Sequence, residues 1–224
     1  MDLSTMLTNL RLRIDDSNSQ YWTDAELTNY INDAYLFYWQ WYIDAEHPGA
    51  IAETSLNIVA GTATISLPSD FCKARLVERV YSDYTIPLQY IERWDRANRT
   101  SGSSLFNQTP SYRIAGSNGI KLILEPTPQE SVTSGIKLHY FFYPLRLEDS
   151  FDEPETAFND FFHDIIIVKA AVLAKDKEES VAGGGSPTAG FSRYLEEREQ
   201  KLKETIAQAS LQRTYVEPFG LAGF

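Results

Sequence analysis

The chain contains one helix start that is unusually well defined, in the segment from Tyr21 to Leu27. The Thr23 hydroxyl can accept a hydrogen bond from a free backbone N–H of the following helix. The Glu26 carboxylate, three residues later, can accept one from the backbone N–H of Thr23. Trp22 and Leu27 can close over this end as a hydrophobic staple. The segment therefore predicts a long helix that begins after Thr23 and is stopped by His47-Pro48-Gly49.

Apolar residues at helical spacing predict further helices near both ends of the chain. A short first helix is predicted between Leu3 and Ile14. After the β-strands, a helix is predicted to end at about Ser180, and a last helix is predicted from about Phe191 to Ala209. The helix after Thr23 is apolar over more than half of its circumference. It is therefore expected to be buried on two sides, one of which can be a neighbouring subunit. The residues that we expect at this subunit interface are Tyr38, Trp39, Trp41 and Tyr42.

The middle of the chain changes to the alternating pattern of β-strands. Residues 55–59 and 64–67 are predicted to pair as a hairpin around Gly61, within an antiparallel module of about six strands. The other predicted strands are Phe71 to Tyr81 paired with Ile86 to Ile91, Ser111 to Ala115 paired with Gly119 to Leu124, and Ile136 to Tyr143. A short helix from Glu92 to Arg99 and a polar loop from Thr100 to Thr109 are predicted between them.

These elements predict an α+β fold, in which a helical bundle formed by the N- and C-terminal helices carries an inserted antiparallel β-module and an extended C-terminal tail. The expected boundaries are 1–50 and 146–210 for the two parts of the bundle, 51–145 for the β-module and 211–224 for the tail. The glycine-rich stretch 183–187 is expected to break the C-terminal helices. Because a free tail is normally polar, we expect the apolar tail to dock on its own body or, in preference, on a partner. Its apolar residues are Tyr215, Val216, Phe219, Leu221 and Phe224.

The composition limits the classes of function that the chain can perform. Its formal net charge is -11, which argues against wrapping DNA, because binding to phosphates needs Lys and Arg. The short basic clusters, such as Arg11 with Arg13, are expected to lie on solvated faces. Cys72 is the single cysteine, so it excludes an internal disulfide and is expected to be a buried structural thiol. Without a visible signal sequence or membrane-spanning run, we expect synthesis in the cytoplasm.

Residue patterns typical of catalytic sites are scarce. The chain has no nucleotide-binding glycine motif and no helical pair of metal-binding histidines. Asp160, His163 and Asp164 share one helix face and keep a metal-dependent hydrolase as an alternative. The helix dipole also explains acidic residues at this place, so we expect no catalytic residue, metal or cofactor. The aromatic residues of the helix after Thr23 can also stack sugars or bases, but their helical spacing favours packing in the core or at an interface. A sugar-binding β-module is a further alternative. Trp94 is the only tryptophan in the β region, which argues against it.

The capped helix start, followed by the sequence from Tyr30 to Tyr35, resembles the opening of the head-to-tail adaptor (connector, head completion) proteins of tailed bacteriophages. Five further motifs of this family follow in the same order, and the resemblance extends over about residues 1 to 205. They are similar to Ile65 to Phe71, Pro87 to Ile91, Thr109 to Ile114, Ile123 to Pro128, and Lys137 to Pro144.

The resemblance implies a structural virion protein rather than an enzyme, located in the neck between the capsid and the tail. Such adaptors form a ring, commonly of twelve copies, below the portal protein. They extend the DNA channel without sequence-specific binding and present a surface to the tail. The resemblance also implies portal contact for the tail residues Tyr215, Val216, Phe219, Leu221 and Phe224. The alternative within this class is another neck or tail component, such as a tail-tube or tail-completion protein.

Overall fold

Helices from both ends of the chain flank a β-module, as the computed structural model shows for residues 1–91, 110–116, 119–182 and 189–212. The predicted α+β class is confirmed. The chain divides into two units. Unit 1 combines Met1–Ala50 with the chain from Tyr143 onward, and unit 2 is Ile51–Phe142.

Unit 1 contains four helices in its described part. They are α1 (Leu3–Ile14), α2 (Asp24–Asp44), α3 (His163–Ala182) and α4 (Ala189–Gln212). Helices α1 and α2 both pack on α3, and α4 packs on α2 and α3. The predicted capping box at Thr23 is confirmed, because Thr23 Oγ1 accepts from Glu26 N–H and Glu26 Oε2 accepts from Thr23 N–H. None of the described helices is both long and apolar enough to cross a membrane.

The extended segment from Tyr143 to Asn159 is attached to α2 by paired polar contacts. The Asn32 side-chain amide donates to the Leu147 carbonyl at 2.9 Å and accepts from the Leu147 N–H at 2.8 Å. One turn further along α2, the Tyr35 hydroxyl accepts from the Glu155 N–H at 2.8 Å. A short 3-10 helix, Asp160–Phe162, then leads into α3. Helix α3 therefore begins at His163 and ends at Ala182, close to the predicted end at about Ser180.

Unit 2 consists of two four-stranded sheets in the described part of the chain. The first has the order β1-β8-β3-β4, and all of its pairs are antiparallel. The second has the order β2-β7-β6-β5, in which β5 and β6 are parallel. The strands are β1 (Ile51–Ile58), β2 (Thr64–Ser66), β3 (Phe71–Val80), β4 (Thr85–Pro87), β5 (Gln89–Tyr90), β6 (Ser111–Ala115), β7 (Lys121–Glu125) and β8 (Val132–Phe142).

Strand pairing in unit 2 both confirms and corrects the sequence predictions. The β6–β7 hairpin is confirmed. The predicted pairing of β3 with Ile86 to Ile91 is confirmed only up to Pro87, because Gln89–Tyr90 pairs with β6 in the other sheet. The predicted hairpin between residues 55–59 and 64–67 is wrong, because β1 pairs with β8 and β2 pairs with β7. A turn does exist here, since Thr62 N–H donates to the Val59 carbonyl, but it leads the chain from one sheet into the other. Alternation identifies a strand and its buried face without identifying its partner.

The core of unit 2 is built from the inward-facing side chains of both sheets. Val77, Leu122, Ile136 and Leu138 are completely buried there, and the other buried residues of this core are 2–7% exposed. Cys72 is only half-buried, so the expectation of a buried thiol is wrong: it lies next to the buried Phe71 at a bulge of β3. The predicted helix 92–99 and the predicted loop 100–109 lie outside the described residues.

Candidate functional site

The turn between α1 and α2 is held by one buried arginine. The Arg11 guanidinium donates to Asp16 at 2.7 Å, to the Trp22 carbonyl at 3.0 Å and to Asp24 at 2.6 Å. Asp16 also accepts from the backbone N–H groups of residues 20–22. Burial opposes the ionisation of Asp16, but these donors outweigh it and hold the pKa of its carboxyl below the ordinary value.

Arg11 therefore has a structural role that the sequence analysis missed. It is 9% exposed, so the expectation that it lies on a solvated face is wrong. The signal that identifies it is its last-turn position on α1, immediately before a turn with several free backbone groups. Its neighbour Arg13, in the same turn, is half-buried.

The start of α2 is also tied to the far end of α3. Lys177 Nζ lies 2.9 Å from Glu26 Oε1, the residue that closes the capping box. The same ammonium group lies 5.3 Å from the centroid of the Trp22 ring, which meets Tyr30 edge-on. Hydrogen bonding to Lys177, first of all, lowers the pKa of Glu26, which keeps the capping carboxylate ionised.

Three of the four aromatic residues predicted at the subunit interface lie inside unit 1. Tyr38, Trp39 and Tyr42 are between 0% and 3% exposed. Tyr38 donates to Glu199 of α4 at 2.9 Å, and Trp39 stacks on Tyr42 with ring centroids 5.5 Å apart. Burial raises the pKa of Tyr42 to about 12. These three side chains complete the monomer core, and their role at an interface between subunits stays a prediction.

Trp41 is the member of this set that keeps exposed surface. Its ring lies 5.5 Å from that of Phe37, which is 44% exposed. Two lysines cover these rings, with Lys169 Nζ 4.6 Å from the Phe37 centroid and Lys203 Nζ 4.4 Å from the Trp41 centroid. We call Phe37, Trp41, Lys169 and Lys203 the aromatic–lysine face.

The acidic residues of the alternative hydrolase do not converge on one site. Asp164 binds Arg198 at 2.8 Å and accepts from the Tyr194 hydroxyl, both on α4. His163 is buried, and its Nε2 donates to the Phe158 carbonyl at 3.0 Å. Burial, above all, lowers the pKa of His163. Asp160 contacts His163 at 3.3 Å but is exposed to solvent.

Within the part of the chain that the structure describes, no group of three or more His, Cys, Asp or Glu side chains is arranged to hold a metal ion. The Asp164–Arg198 pair instead fixes α4 on the first turn of α3. The Arg198 guanidinium also stacks 4.3 Å from the centroid of the exposed Phe161 ring. This arrangement is a structural clamp between two helices.

Unit 2 contains a cavity of about 200 Å³ that is lined by residues of both sheets. Its polar wall carries Arg79 and Glu125, and Glu125 accepts from Arg113 at 3.1 Å. Its apolar wall is formed by Tyr81, Leu88, Leu124, Pro126 and Pro128, among others. We call this feature the Arg79 cavity. It did not follow from any motif in the sequence, because its walls come from distant segments.

The residues predicted to contact the portal are Tyr215, Val216, Phe219, Leu221 and Phe224, and all five lie outside the described residues. Among the described residues of unit 1, Tyr21, Leu145 and Phe151 are each more than 80% exposed. Single exposed apolar side chains are common on protein surfaces, so these three do not define a binding site by themselves.

Comparison with known proteins assigns the chain to a family. No curated protein matches the chain. The family model described as SU10 adaptor protein matches residues 1–218, which includes all of unit 2 and all of unit 1 except residues 219–224. The resemblance to phage adaptors found in the sequence is thereby confirmed. The chain belongs to the SU10 adaptor protein family, a family of phage head-to-tail adaptors.

Proposed function

We propose that this protein forms a ring between the portal and the tail of a phage particle and extends the DNA channel there. The observation that carries the proposal is the family match over residues 1–218. A structural role in the phage neck follows from that family. Ring formation, a stoichiometry of twelve and the passage of DNA are the finer parts of the proposal.

The aromatic–lysine face supports contact between subunits. Trp41 and Phe37 provide apolar area, and Lys169 and Lys203 provide charge within a chain of net charge -11. Neighbouring copies are therefore predominantly acidic, which favours contact with the two lysines. We propose that Trp41 contacts the next subunit directly, while the buried Tyr38, Trp39 and Tyr42 support the helix that presents it.

The net charge also suits a channel for DNA. A surface with excess carboxylates repels phosphates, so DNA passes without being retained. The tail residues Tyr215, Val216, Phe219, Leu221 and Phe224 are proposed to contact the portal. Loops of unit 2 are proposed to contact tail proteins or neighbouring subunits. The protein acts through these surfaces, without a cofactor and without turnover.

The test is mass photometry of the protein mixed with the portal ring from the same genome. The expected result is a gain of about one copy per portal subunit. Replacement of residues 215–224 by a flexible Gly/Ser segment of equal length should abolish this gain and leave the folded units unchanged by circular dichroism. Absence of added mass at several salt concentrations would refute portal binding and favour a tail-tube or tail-completion protein.

A further inference from the structure

The Arg79 cavity contains a buried donor that lacks an acceptor. Arg79 Nε is buried and has no hydrogen-bond partner within the described part of the chain. The guanidinium carbon lies 5.7 Å from the centroid of the Tyr81 ring, so it is positioned by an aromatic face and not by a carboxylate. A buried donor without an acceptor retains its desolvation cost. A ligand that brings a carboxylate would remove this cost through a charge-assisted hydrogen bond.

The other charged group of the cavity does not compete for Arg79. Glu125 is the second charged residue in the lining, and its carboxylate already accepts from Arg113 Nε at 3.1 Å. Ser111 Oγ donates to the Glu125 carbonyl at 3.0 Å. The acceptor for Arg79 must therefore come from outside the described cavity wall.

The remaining walls are largely apolar. Tyr81 stacks on Tyr84 with ring centroids 4.9 Å apart, and the Pro128 carbonyl accepts from Gly61 N–H at 2.9 Å. Tyrosine side chains supply contact area and lose little conformational freedom when a partner binds. A volume of about 200 Å³ is suited to one side-chain ring, since a cavity of about 150 Å³ holds a benzene molecule. The cavity therefore fits one apolar side chain next to one carboxylate.

One segment of the chain itself presents this combination. The sequence Tyr215-Val216-Glu217-Pro218-Phe219 contains the one carboxylate side chain of residues 213–224. A proline biases the residue before it, here Glu217, toward extended conformations. In an extended backbone, residues two positions apart project to the same side. Glu217 and Phe219 can therefore enter one site together.

We propose that the Arg79 cavity binds residues 215–219 of a second copy of this protein. The Glu217 carboxylate accepts from Arg79, and the Phe219 ring fills the space between Tyr81 and the two prolines. Each copy offers one cavity and one segment, so the contact is head-to-tail and adds copies in sequence. This contact shields the apolar segment until the portal is bound. The proposal rests on the proposed function only for the later transfer of this segment to the portal.

The experiment is photo-crosslinking in the full-length protein without the portal. Benzoylphenylalanine replaces Gln129 in the cavity lining, and ¹⁴N- and ¹⁵N-labelled copies are mixed before irradiation. The expected crosslinks join Gln129 of one copy to residues 215–219 of the other and are identified by mass spectrometry. The same probe at Ile120, which is exposed in unit 2 and outside the cavity lining, should give none of them.

Charge variants then test the pairing of Arg79 with Glu217. Glu217→Gln should lower the crosslink yield by about tenfold, which corresponds to one charge-assisted hydrogen bond. Arg213→Gln, in the same region of the sequence, should leave the yield unchanged. The exchange Arg79→Glu with Glu217→Arg should restore much of the yield that Arg79→Glu alone removes.

Three results would overturn the proposal: no crosslink to residues 215–219, crosslinks within one chain only, or a yield that Glu217→Gln does not change. None of these results depends on an Arg79 variant that folds, because the Glu217→Gln variant alone is needed, and Glu217 lies outside the described residues. Portal binding is measured separately by added mass. If the protein binds the portal but the crosslink is absent, only this inference is refuted. If the crosslink forms but the portal gains no mass, only portal binding is refuted.

Discussion

Replacement of Asn32 by alanine is expected to destabilise unit 1 strongly. Asn32 is 2% exposed and joins α2 to Leu147 across 115 residues of sequence. Its side chain satisfies both the N–H and the carbonyl of Leu147, and Leu147 is itself 3% exposed. The variant leaves these two backbone groups buried without their partner.

The magnitude follows from the number of groups that lose a partner. A buried polar group left without a hydrogen bond costs about 1–3 kcal/mol. Two such groups give a loss of about 2–6 kcal/mol in the free energy of unfolding, which is a large fraction of the ~5–15 kcal/mol that stabilises a typical domain. Water that enters the site would bring the loss toward the lower figure.

The assay is urea unfolding followed by tryptophan fluorescence and circular dichroism. Asn29→Ala is the matched control, because Asn29 lies on the same helix, is exposed and makes no described hydrogen bond. We expect the control to change the free energy of unfolding by no more than about 0.5 kcal/mol. Equal losses in Asn32→Ala and Asn29→Ala would refute the reasoning, because the effect would then reflect helix propensity and not the contact with Leu147.

Two further variants test other parts of unit 1. Trp41→Ala should reduce formation of the oligomeric ring in mass photometry with little change in the urea midpoint, because part of the indole is exposed. Leu12→Ala, which removes a 63% exposed side chain from α1, should change neither the oligomer nor the urea midpoint. Equal effects of the two variants would contradict the proposed interface. His163→Gln should flatten the dependence of stability on pH. Burial lowers the pKa of folded His163 below its ordinary 6.5, so its contribution to stability is full above that value and is lost as the pH falls through the folded pKa. Urea midpoints between about pH 7.5 and pH 5 measure this slope, and an identical slope in wild type and variant would contradict it.

Local sequence signals predicted the elements whose contacts are also local. The capping box at Thr23 joins residues three positions apart, and the structure contains it as expected. The hairpins β3–β4 and β6–β7 each connect neighbouring strands. In these cases the turn chemistry and the hydrophobic period lie within one short segment, so the sequence contains the information needed.

Long-range contacts account for most of the predictions that were wrong or absent. The turn after Val59 has the composition of a hairpin, yet β1 finds its partner in β8, with Ile51 opposite Phe141. The sequence around Arg11 predicts a surface residue, because its partners Trp22 and Asp24 come close only when the turn between α1 and α2 has formed. The Arg79 cavity likewise joins residues from β3 and from the segment after β7. The periodicity of one segment contains no information about partners that come from distant segments.

The predicted interface illustrates a different limit. Helix α2 is apolar over most of its circumference, so its sequence indicates that two sides are covered without indicating what covers them. In the structure, α3 and α4 both pack on α2, and Tyr38, Trp39 and Tyr42 are buried. Tyr38 is held by Glu199 of α4, whereas Tyr42 packs against His47 and Phe158. Trp41 also meets α4, through Lys203, but keeps part of its surface exposed.

The order of the chain has a consequence for how this surface arises. The aromatic residues of α2 are made early, but the helices that bury them follow Tyr143, after the whole of unit 2. Unit 1 therefore closes through contacts of high sequence separation, and such contacts form slowly because the intervening loop must be closed first. Until α4 docks, the Tyr38 hydroxyl lacks its partner Glu199. The aromatic–lysine face also needs Lys169 of α3 and Lys203 of α4. We infer that the surface offered to a neighbouring subunit is complete only in the folded monomer, which favours a ring assembled from folded copies.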